Sequence, residues 1–127
     1  MRNLTVTICL TLALLLGSPG VSESADLQKG MNAYQSGDYA TALREWEPLA
    51  EQGNASAQSN LGWRYEKGLG VIQDNVYAHM WGIIAASNGN ENGVKLRDLV
   101  AKQMTPVQLE KAQDLARECV RKKYKGC

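Results

Sequence analysis

The chain has 127 residues, 14 Lys/Arg against 13 Asp/Glu, and a formal net charge of +1. That length suits one domain or a short array of repeats, and a charge so close to balance disfavours nucleic acid as a partner. Beyond the first two dozen residues no stretch is apolar enough to span a bilayer, which takes roughly 20 such residues.

Arg2 opens the chain, and Leu4 to Leu16 is nearly uncharged and rich in Leu and Thr. Gly17-Ser18-Pro19-Gly20 and Ser22-Glu23-Ser24 follow. A charged start, an apolar middle and a small-residue end predict a secretory signal peptide over 1–24, cleaved after Ser24 or, as second choice, after Ala25. The apolar run of about 13 residues is too short for a transmembrane helix. Cys9 lies inside it without a small residue before it, which disfavours lipid attachment. Export predicts a periplasmic or secreted protein.

Residues 25–127 read as helices throughout, with no strict alternation of apolar and polar positions. A first short helix over 26–36 stops at Gly37, and Asp38 caps the second, on which Ala42, Trp46 and Ala50 share a face. After Gly53, Asn54 caps a third helix carrying Ala57, Leu61 and Tyr65. Gly68-Leu69-Gly70 breaks it, and Asp74 caps a fourth with Ala78, Trp81 and Ala85. Gly89 ends that helix and Asn90 caps a fifth. Thr105-Pro106-Val107-Gln108 is a capping-box start for a sixth, expected over Thr105–Tyr124, with Leu109, Ala112, Leu115, Ala116 and Cys119 as its apolar stripe.

The order repeats. Asp38 to Asp74, Ala42 to Ala78 and Asn54 to Asn90 are each 36 residues, and Trp46 to Trp81 is 35. Two helices per unit at this period predict a helical solenoid. Tyr34, Gly37, Asp38, Tyr39, Ala42 and Trp46 at their spacing resemble a tetratricopeptide repeat. Ala57, Leu61, Gly62, Tyr65, Gly68, Gly70, Val71, Asp74, Ala78, Trp81, Ala85 and Ala86 resemble a Sel-1-like repeat. The tail from Met104-Thr105-Pro106 is similar to the ends of small exported members. The resemblance implies an all-α, short α/α hairpin solenoid used for protein interactions, often in bacterial envelopes, with adaptor or regulatory roles. The expected organisation is a first hairpin over 26–53, a complete repeat over 54–89 and C-terminal capping helices over 90–127.

Around the third helix Trp63 lies about 200° from Leu61, away from the hairpin core. Ser56, Ser59, Trp63 and Lys67 share that stripe, and Leu27, Met31 and Tyr34 hold the equivalent one in the first helix. In tetratricopeptide-like stacks this stripe lines the concave face. Met31, Tyr34, Ser59, Trp63 and Lys67 are therefore the expected partner-binding residues, since an exposed Trp beside Met and Tyr is hot-spot chemistry. The fifth or sixth helix covering them is the competing expectation.

Nothing in the pattern marks an enzyme, a cofactor or a metal. His79 stands alone, inside a helix between Ala78 and Met80, with no nucleophile in sequence near it, and is expected on the surface or partly packed. Gly68-Leu69-Gly70-Val71 follows a helix and lacks a Lys-Ser/Thr pair, so it reads as a helix stop and not a phosphate loop. Glu45, Glu47, Glu66 and Asp74 carry no distinctive acid–base spacing.

Cys119 and Cys127 form the one pair outside the leader, and export favours a disulfide. In a continuous helix they would be about 12 Å apart, beyond the roughly 7 Å a bridge tolerates. An intramolecular bridge needs the helix to end near Lys122–Tyr124 and Gly126 to turn the chain back; otherwise the pairing is between chains. Charge is uneven: residues 26–91 hold four Lys/Arg and eight Asp/Glu, and residues 92–127 hold nine and four. The basic end, with Arg121, Lys122, Lys123 and Lys125, is either a solvated tail or a contact for an anionic membrane surface or acidic partner.

Overall fold

A computed structural model describes residues 25–127. The leader expected over 1–24 lies outside the described residues. The described chain is all-helical: α1 Leu27–Gln35, α2 Tyr39–Glu51, α3 Ala55–Lys67, α4 Asn75–Ser87, α5 Glu91–Ala101 and α6 Pro106–Arg121. Among the described residues no helix is long and apolar enough to cross a membrane.

Local chemistry sets the helix ends. Each expected cap accepts from the first turn it opens: Asp38 from Thr41, Asn54 from Ala57, Asp74 from Val76 and Tyr77, and Asn90 from Gly93. Asp26 does the same for α1, and Thr105 with Gln108 forms a reciprocal capping box. Three turns share one construction. Gly37, Gly53 and Gly89 adopt φ of 85°, 93° and 89°. The next amide, of Asp38, Asn54 or Asn90, donates back to Ala33, Leu49 or Ala85 at 2.8, 2.9 and 3.0 Å. The residue that closes one helix thus caps the next, which makes the connection as short as two helices allow.

Each helix from α1 to α4 packs on its successor. Beyond that, α3 packs on α5 and α4 packs on α6. The sixth helix therefore docks on α4 and not chiefly on α5, its neighbour in sequence. Ala42, Trp46, Ala50, Ala57, Leu61, Trp81, Ile84, Ala116 and Cys119 belong to one core running from α2 to α6. Ala112, Ala116 and Cys119 are buried on the expected stripe of α6, while Leu109 and Leu115 are half-buried.

The last helix stops at Arg121, three residues before the expected Tyr124. Lys123, Tyr124 and Gly126 have φ of 56°, 65° and 70° and turn the chain back. Cys127 bonds to Cys119 within the chain, with Cα atoms 5.6 Å apart. His79 corrects its expectation: it is 4% exposed, with Nδ1 3.0 Å from the Arg97 carbonyl. The reason is that α4 is apolar nearly all round, and such a helix is enclosed.

Candidate functional site

The site starts from the way Trp46 locks α1 to α2. Its indole lies on Gly30, where a Cβ would stand 2.3 Å from Nε1. Its N–H donates to the Leu27 carbonyl at 3.3 Å. With α1 seated so closely, Met31 and Tyr34 are presented beside Trp46, and the Tyr34 and Trp46 ring centroids are 5.9 Å apart.

From α3, Asn60, Trp63 and Lys67 recur at three- and four-residue steps and so share a face. The Lys67 ammonium lies 5.6 Å from the centre of the Trp63 ring, a cation–π distance. Trp63 is half-buried and packs against the cluster of Ala78, Leu96 and Val100.

These residues enclose a cleft of about 280 Å³ between α1, α3 and α5, lined by Met31, Tyr34, Trp46, Asn60, Trp63, Lys67 and Asn92. Four of the five expected binding residues therefore converge: Met31, Tyr34, Trp63 and Lys67. Ser59 does not. It is 1% exposed, and its hydroxyl has no hydrogen-bond partner among the described residues. At 100° per residue Ser59 falls between Trp63 and Gly62. Gly62 is where Leu96 of α5 approaches, within 2.4 Å of where a Cβ would be. The fifth helix covers that flank of the stripe, and Asn60 on the other flank takes the place expected for Ser59.

Besides Asn60, two cleft residues were not foreseen. Asn92 arrives from α5, whose packing on α3 has no local signal. Trp46, expected only on a face shared with Ala42 and Ala50, also forms part of the wall. A third, Arg64, lies beneath the site: it is 1% exposed, with its guanidinium carbon 6.0 Å from the Trp46 ring centre. Burial pulls its pKa below that of an ordinary guanidinium, and the charge of Glu47 opposes the shift. Its Nε donates to the Leu69 carbonyl at 2.9 Å, tying the α3–α4 connection down onto α3.

Among the described residues no group of three or more His, Cys, Asp or Glu side chains is placed to hold a metal ion. The cleft presents an aromatic and thioether wall, two amides and one cation. No protein-family model matches the chain, and no curated protein matches it.

Proposed function

We propose that this chain is an exported, non-enzymatic interaction module of the Sel-1-like, tetratricopeptide-like kind, a periplasmic adaptor or regulator that grips another envelope protein in the α1–α3–α5 cleft. The observation that carries the reading is the convergence of Met31 and Tyr34 of α1 with Trp63 and Lys67 of α3 in one open cleft. Rigid aromatic side chains of this kind concentrate binding energy at protein interfaces. The 36-residue spacing of the caps and the helix-pair architecture support the solenoid part of the reading.

The test is crosslinking in cells with a tagged chain, followed by mass spectrometry, with Trp63→Ala in parallel. One dominant envelope protein, recovered with the parent and reduced about tenfold or more with Trp63→Ala, is the expected result. Equal recovery with the variant would remove the cleft from the proposal.

A second reading has its own observation. Arg121, Lys122, Lys123 and Lys125 are all exposed at the end of α6, a surface suited to holding a structural accessory on an anionic membrane or wall. Retention of that kind weakens steeply as salt rises and is indifferent to Trp63→Ala.

A further inference from the structure

A second cleft, of about 230 Å³, shares no residue with the first. Its walls are Glu47 and Glu51 of α2, Tyr65 of α3, Trp81 of α4, and the tail at Tyr124, Gly126 and Cys127. The tail becomes a wall through three ties: the Cys119–Cys127 bond, packing of Tyr124 against the core, and a hydrogen-bond chain. In that chain Asn88 Nδ2 lies 3.3 Å from the Tyr124 hydroxyl and donates to Gln58 Oε1 at 2.8 Å. Gln58 Nε2 donates to the Ala50 carbonyl at 3.0 Å.

The formal charge on the walls is negative. Glu47 is exposed, while Glu51 is half-buried in a turn of helix facing the tail. Aromatic faces beside carboxylates stabilise a cation that carries apolar groups, because the ring quadrupole and the carboxylate attract it while the rings cover its body. The Lys125 ammonium of the tail lies 4.0 Å from Glu51 Oε2. That contact is long and the Lys125 side chain is 68% exposed, and Lys125 does not line the cleft. Glu47 acts on Arg64 through space and makes no direct ion pair among the described residues.

We propose that this cleft binds an organic cation, an ammonium or guanidinium group on a short apolar body, with Glu47 and Glu51 neutralising the charge and Tyr65, Trp81 and Tyr124 covering the body. Lys125 competes for Glu51 and so tunes how tightly the cleft binds. A free amine and a basic side chain of a peptide present the same chemistry.

The experiment is an NMR titration of the disulfide-bonded protein, following the Trp81 indole N–H and the Tyr124 ring. The probes are n-butylammonium, butanoate, and N-acetyl-arginine N-methylamide. Butylammonium is expected to shift both signals saturably and butanoate to leave them unmoved. Glu47→Gln with Glu51→Gln should weaken binding roughly tenfold, and Lys125→Ala should strengthen it about two- to threefold. Tighter binding of the arginine derivative than of butylammonium identifies the natural cation as a peptide side chain, and the reverse order identifies it as a free amine. The proposal falls if butanoate moves the same signals, if no probe saturates, or if the double variant, with an unchanged amide spectrum, binds as the parent does.

Discussion

His79 and Arg64 are polar side chains that two helices carry into the interior, and each responds differently to burial. Desolvation holds the His79 pKa below its ordinary 6.5, and the bond to the Arg97 carbonyl opposes that shift only in part. The folded protein thus binds a proton at His79 less readily than the unfolded chain. The neutral ring's contribution is complete above the unfolded value of 6.5 and is lost as pH falls below it toward the lower folded value. Urea unfolding between pH 7.5 and 5.5 is expected to show stability decreasing with acidity. His79→Gln should flatten that slope, and an unchanged slope would move its origin to other groups. Arg64 remains a cation, fixed by the Leu69 carbonyl and the Trp46 face. Neither burial could be inferred from a helix face alone. The signal for His79 was nonetheless present in Val76, Met80, Trp81, Ile83 and Ile84, which leave α4 with no broad polar side.

Element by element, the caps were the most legible feature, because a side chain that accepts from an amide two or three residues ahead acts within one turn of helix. How closely the helices approach was not legible. Gly93 of α5 lies on α4 with no room for a side chain: a Cβ there would stand 2.6 Å from Ala85 Cβ and 2.8 Å from the Ala86 amide nitrogen. Gly82 meets α5 in the same way, 2.9 Å from the Arg97 nitrogen. Since the obstacle is backbone on a rigid helix, Gly93→Ala should destabilise by about 1–3 kcal/mol despite the better helix propensity of Ala. Equilibrium urea denaturation checks this. Stability equal to or above the parent would mean that the α4–α5 seam yields. The same seam positions Asn92 in the first cleft and leads α5 over Ser59, so the variant should also weaken partner capture.

Across the whole molecule, the C-terminal tail links elements that are far apart in the chain. Tyr124 packs against the core that begins in α2, Lys125 approaches Glu51, and the disulfide returns Cys127 to α6. Two successive non-glycine residues in the left-handed region, Lys123 and Tyr124, are held there by these contacts. Breaking a bridge across so short a loop removes about 2.5 kcal/mol by the chain-entropy estimate. Cys127→Ala is expected to lower the unfolding free energy by that amount and to loosen the second cleft while leaving the first intact. Should stability be unaffected, packing of Tyr124 and its bond to Asn88 suffice to hold the tail.

Helix number, their order, their caps and the 36-residue period were all readable in the chain, whereas the meeting of Met31 and Tyr34 with Trp63 and Lys67 was expected only from the tetratricopeptide-like resemblance. The readable features depend on interactions within a helical turn or on a periodicity that repeats from one hairpin to the next. The enclosure of Ser59, His79 and Arg64, the entry of Asn92 and the docking of α6 on α4 were decided by packing between helices. Those contacts join residues far apart in sequence through shape, and shape is settled only when glycines such as Gly30, Gly62 and Gly93 let one helix come to rest against another.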